Sequence, residues 1–150
     1  KAELEIIGDG PEKDGLIRKI KELGMENSVR LCGRARYDEL PERYRSARAL
    51  ALPSLKPEGF GISAAEACAC GIPTVTFGLG GTSELVLHGE TGLVVDQSRK
   101  ALAEGLIRIL TDDDLADRLG ENARKKVTEQ YSWDILSEKF DKLFRDIIEE

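Results

Sequence analysis

The 150 residues suffice for one domain with an ordinary hydrophobic core, 41% of them being apolar and 33% charged. The 22 Lys and Arg against 28 Asp and Glu give a net charge of −6, which argues against nucleic acid as a partner, because displacing its counterions needs a basic face. No apolar run reaches the roughly 20 residues that span a bilayer, and the N-terminus lacks the layout of a secretory signal.

The chain opens at Lys1 and runs straight into Leu4-Glu5-Ile6-Ile7, which reads as a fragment cut from a longer protein. Short apolar runs then alternate with longer periodic ones, the pattern of βα units around a parallel sheet. Ala2 to Ile7 is a predicted strand, and Pro11 suits the first turn of a helix marked by Leu16, Ile17, Ile20 and Leu23 and ended by Gly24. Val29 to Cys32 is a second strand. Asp38 is expected to cap a helix that buries Leu40 and Tyr44. Ala49 to Leu52 is a third strand, followed by a helix of small residues from Gly61 to Cys70 that can lie close to a sheet. Thr74 to Phe77 and Gly92 to Val95 are the remaining strands, with a short helix from Thr82 to Leu87 between them.

From Lys100 onward three amphipathic helices are expected, the second capped by the run Asp112-Asp113-Asp114 and the third preceded by Ser132. The predicted architecture is a Rossmann-like, three-layer α/β/α domain with a five-stranded parallel sheet and a helical C-terminus. Ligands of such sheets sit at the carboxyl ends of the strands. The chemistry is therefore expected in the loops after Ile7, Gly33, Leu52 and Phe77.

The strongest signal is the stretch Pro53-Ser54-Leu55-Lys56-Pro57-Glu58-Gly59-Phe60-Gly61-Ile62-Ser63-Ala64-Ala65-Glu66. A buried strand turns through a glycine-flanked loop into a helix whose N-terminus favours an anion such as phosphate. Glu66 falls ~7.5 Å along that helix from Gly61. Carboxylates at both ends of the span suit a ligand with hydroxyls at either end and negative charge between, as in ribose, diphosphate and hexose. A pair of glutamates alone would read as solvated. A single glutamate among Ala64, Ala65, Ala67 and Cys68 is poorly explained by solubility.

At these residues the sequence resembles glycosyltransferase family 4, the group 1 transferases of GT-B fold. Its E-x7-E signature matches Glu58 to Glu66 as EGFGISAAE, with IIGDGP at Ile6, VRLCG at Val29, ALPS at Ala51, EACACGIPTV at Glu66 and GGTSELVLHGETGLVV at Gly80, all in order. The resemblance implies the C-terminal, donor-binding domain of a retaining hexosyltransferase, with Glu66 on the ribose and Glu58, the catalytic candidate, facing the donor sugar. The backbone of Gly59, Phe60, Gly61 and Ile62 would contact sugar and phosphate. Arg34, in the Cys32 to Arg34 turn, would lie beside the base, with Gly80 and Gly81 behind the sugar and Gly8 and Gly10 keeping the first loop clear. The family's preceding βα unit, with an Arg and a Lys for the diphosphate, has no counterpart here, and neither has its N-terminal acceptor domain. These 150 residues are therefore expected to bind donor weakly and to be inactive alone, the acceptor being held mainly by the other domain.

Other signals are weaker. Gly8-Asp9-Gly10 would need its third dinucleotide-motif glycine where Lys13 stands. His88 is a candidate base only for the alternative of a nucleotide-sugar epimerase of the same architecture; a non-catalytic nucleotide-binding module is the other alternative. Ser54 and Ser63 lack a triad context. Arg34, Arg36, Arg43, Arg45 and Arg48 read as a solvated face ahead of phosphate contacts. Cys32, Cys68 and Cys70, with one histidine, are too few for a metal site and read as reduced thiols of a cytoplasmic protein, membrane-peripheral if at all. No metal or other cofactor is expected, since the only Asp-x-Asp caps a helix. Phe140, Leu143, Phe144 and Ile147 form a stripe that is either core or an exposed face able to pair two copies.

Overall fold

A computed structural model describes residues 2–149, which form two compact units, Lys1–Leu40 and Pro41–Glu150. In the first, β1 (Leu4–Ile7) lies parallel to β2 (Val29–Gly33), with Leu4 opposite Val29 and Ile6 opposite Leu31. Helix α1 (Lys13–Glu22) connects them; Pro11 sits in the turn just before it rather than in its first turn, and Gly24 follows its end at φ +62°. A single 3₁₀ turn, Tyr37–Glu39, precedes α2 (Leu40–Ser46). That turn overturns the expected cap. Asp38 lies inside it and binds the Arg36 guanidinium at 2.8 and 3.0 Å, while Arg36 holds the N-cap position. Leu40 and Tyr44 are half-buried.

The second unit continues with β3 (Leu50–Leu52), α3 (Ile62–Ala69), β4 (Thr74–Thr76), α4 (Thr82–Leu85), β5 (Gly92–Val94), α5 (Arg99–Thr111), α6 (Asp113–Gln130) and α7 (Trp133–Glu149). Strands β3, β4 and β5 are parallel and adjacent in that order. The five expected strands therefore exist and are parallel, but they fall into a two-stranded and a three-stranded sheet rather than one. Within the second unit, alternating side chains of β3, β4 and β5 feed two cores. Val75 and Leu93 point toward Ile109 of α5 and Leu115, Ala116 and Leu119 of α6. On the opposite face Leu52 and Val94 meet Ala64, Cys68, Leu85, Val86, Ala123 and Val127. This is an α/β Rossmann-like arrangement with helices on both faces of a parallel sheet.

Helix α6 joins both cores, and its start is fixed by Asp112, whose carboxylate accepts from the Leu115 N–H at 2.9 Å. Arg48 adds a tie to its first turn through Asp117 at 2.6 Å and Asp113 at 2.8 Å. Further along, a Cβ on Gly120 would overlap the carbonyl oxygen of Gly71, the residue that closes α3 at φ +78°. The missing side chain is what lets α6 cross the end of α3. Helix α7 is different. Of the stripe expected as core or exposed face, Phe140 is 55% exposed and Ile147 61%, and Trp133 at the helix start is 86% exposed. No helix among the described residues is long and apolar enough to cross a membrane.

Alanine at Gly120 should gain ~1 kcal/mol of helix propensity but lose more to overlap, for a net destabilisation of about 1–3 kcal/mol. Urea unfolding should show a lower midpoint for Gly120→Ala. Gly15→Ala in α1, whose Cβ would meet only the side-chain ends of Glu12 and Arg18, should show no loss.

Candidate functional site

Because β3 and β4 are parallel neighbours, the loops that leave their carboxyl ends emerge on the same edge. They are joined through their backbones. The Gly81 N–H donates to the Glu58 carbonyl at 2.9 Å, the Glu58 N–H reaches the Leu79 carbonyl at 3.4 Å, and Glu58 and Gly80 form a parallel bridge. Side chains would prevent this approach: a Cβ on Gly80 would overlap the Glu58 carbonyl oxygen, and one on Gly81 that of Gly59. Gly61 carries the third constraint. It caps α3 at φ +85°, and a Cβ there would lie 2.9 Å from Thr82 Oγ1.

A glycine cap leaves the first N–H groups of α3 without a side-chain acceptor. Ala65 N–H is the first to close a helical turn, onto the Gly61 carbonyl at 3.0 Å. Gly59, Phe60, Ile62 and Ser63 are exposed, so this N-terminus opens to solvent. Phe60 nevertheless packs on Tyr131 at the end of α6, ring centroids 5.3 Å apart, which steadies the loop. The start of α3 is thus an exposed run of backbone N–H groups with positive potential, able to receive an anion.

Each glutamate is held by a hydroxyl from a neighbouring element. Ser54, at the end of β3, donates to Glu58 Oε1, and the other carboxylate oxygen lies beside Gly61. Tyr44 on α2 donates to Glu66 Oε2 at 3.0 Å. Burial, then this bond, pushes the Tyr44 phenol up from 10.0 to about 12. Sequence reading had Ser54 as a serine without a triad and Tyr44 as a packing residue. The spacing of Ser54 four before Glu58 was a usable signal. No local pattern could link Tyr44 to a partner 22 residues on.

Gly8, Gly10 and Arg34 belong to the first unit and His88 to the second. Gly8 and Gly10 line a cleft of about 150 Å³ in the first unit together with Pro11, Leu16 and Leu31, and Arg34 is exposed in the loop after β2. His88 sits in the turn beyond α4, where Nδ1 lies 2.7 Å from the Val94 carbonyl oxygen and donates to it. Cys68 is buried, its thiol pushed up to about 11 by desolvation, and all three cysteines are unbridged. Among the described residues, no group of three or more His, Cys, Asp or Glu is placed to hold a metal.

The raised Tyr44 value predicts a pH effect. A folded-state pKa above the unfolded one contributes stability that is complete below pH 10 and is lost as pH rises through about 12. Ultraviolet titration should resolve one tyrosine that ionises near pH 12 and that disappears in Tyr44→Phe.

Comparison with known proteins fixes the kinship. The family profile "Glycosyl transferases group 1" matches residues 1–126. A GDP-mannose-dependent alpha-(1-6)-phosphatidylinositol monomannoside mannosyltransferase of Mycobacterium tuberculosis is 36% identical over 145 residues, 92% of this chain and 38% of that protein. Among solved structures, sucrose-phosphate synthase of Thermosynechococcus elongatus superposes with a TM-score of 0.88 at 30% identity, over 97% of this chain and 38% of that one. Anabaena HepE in complex with UDP gives a TM-score of 0.89 at 26% identity, over 97% and 41%. The fold is that of a GT-B-type domain, and the chain spans about two fifths of the length of these proteins. On this evidence the chain belongs to the group 1 glycosyl transferases.

Proposed function

We propose that these residues form the donor-binding half of a retaining GT-B glycosyltransferase that transfers a hexose from a nucleotide diphospho-sugar, with an acceptor domain and a first βα unit supplied by further sequence. The observation that carries the reading is the open N-terminus of α3, held against the Gly80–Gly81 loop, with Glu58 in the loop before it and Glu66 within the helix. The relatives' own ligands support it: the mycobacterial enzyme is named for GDP-mannose, and Anabaena HepE was solved with UDP.

In this reading the N–H groups at the start of α3 face the diphosphate. They stabilise charge that grows on it as the glycosidic bond breaks, and their dipoles are already oriented before reaction. Glu66 accepts from the ribose hydroxyls. Glu58, held by Ser54, accepts from hydroxyls of the hexose and fixes the sugar over the loop. Gly59, Phe60, Gly61 and Ile62 supply the floor, Gly80 and Gly81 the back wall.

Saturation-transfer titrations with UDP, GDP, ADP and their hexose conjugates test the proposal. One base should be preferred, and Glu66→Ala should weaken the preferred nucleotide by about tenfold or more, as expected for a charge-assisted hydrogen bond. Glu58→Gln should reduce the advantage of the sugar conjugate over the bare diphosphate. Binding that is indifferent to both substitutions would reject the assignment.

A further inference from the structure

Glu66 stands on a helix of small residues, half-buried between Ala64, Ala65, Ala67 and Cys68. A glutamate has three rotatable bonds, and ordering it on a ligand costs conformational entropy unless the fold has already oriented it. Here the fold has done so from a different element. The Tyr44 hydroxyl on α2 donates to Glu66 Oε2 at 3.0 Å. An ionised carboxylate can only accept, so the phenol's single proton is the one in this bond. A second tie, from the Cys70 thiol to the Pro41 carbonyl at 3.9 Å, links the start of α2 to the end of α3. Tyr44 also remains a donor throughout the neutral range, since it does not ionise until about pH 12.

We infer that Tyr44 is a positioning residue for nucleotide recognition: its hydroxyl fixes the Glu66 carboxylate in the orientation that receives both ribose hydroxyls, and so sets the site's preference for a ribonucleotide. The inference rests on the donor-binding reading of Glu66. One carboxylate oxygen is oriented by Tyr44, and the lone pairs that remain on the two oxygens are sufficient for a vicinal diol. Without the phenol the carboxylate would still be present, but it would sample rotamers that do not face the sugar.

The test compares each nucleoside diphosphate of the UDP, GDP and ADP set with its 2′,3′-dideoxy form, in the wild-type chain, Glu66→Ala and Tyr44→Phe. The quantity read is the ratio of the two affinities in a single protein sample, which a loss of folded fraction leaves unchanged. The wild type should favour the ribonucleotide, Glu66→Ala should erase the preference, and Tyr44→Phe should lower it by about three- to tenfold with little change in affinity for the dideoxy form. A purely structural tie between α2 and α3 would lower the melting temperature and leave the ratio intact. If Glu66→Ala erases the preference and Tyr44→Phe keeps it, the role of Tyr44 is overturned and the donor reading stands. If Glu66→Ala keeps the wild-type ratio, or the wild type shows no preference, both are overturned.

Discussion

Gly81 gives its N–H to the Glu58 carbonyl, and the closeness this bond demands shapes the open face of the second unit. The two loops can approach only because Gly80 and Gly81 present bare backbone to Glu58 and Gly59. That approach puts Glu58 beside Gly61, and Gly61 in turn starts α3 in a conformation that a side chain would strain. The helix N-terminus, the carboxylate and the glycine wall are thus consequences of one pairing. Loosening it would disturb all three together.

The loops stay in place because the layers beneath them are closely packed. Thr74, Val75 and Thr76 of β4 are fully buried, and α6 is anchored at its start by Asp112 and Arg48 and at its middle by Gly120 against Gly71. The same helix ends at Tyr131, whose ring packs on Phe60 in the loop. Packing in the cores and geometry at the site are therefore connected through α6. A rigid scaffold beneath an open loop is the usual way to hold binding groups without closing the site.

The parallel strands and their helices were legible in the sequence because hydrophobic period and glycine punctuation both act locally. Thr74 to Phe77 was one residue longer than β4, an ordinary boundary error. Asp38 misled because a 3₁₀ turn and an arginine two residues earlier can absorb an aspartate as readily as a helix start can. The stripe of α7 could be read as amphipathic, but whether such a face is covered depends on what lies opposite it, which periodicity does not encode. At the site, the E-x7-E spacing and glycine loops were visible as a motif. The hydroxyls that orient the two glutamates were not, since Tyr44 reaches Glu66 only once α2 and α3 have been laid side by side. The pairing of Glu58 with Gly80 is likewise a product of sheet order rather than of local sequence.

The most direct test of the central claim is a map of backbone amide shifts on adding the preferred nucleotide sugar. The account predicts the largest changes at Gly59 to Ala64 and at Gly80 to Thr82, moving together with one dissociation constant, because the two loops form one surface. Saturable shifts confined to other parts of the second unit, with these residues unmoved, would contradict it.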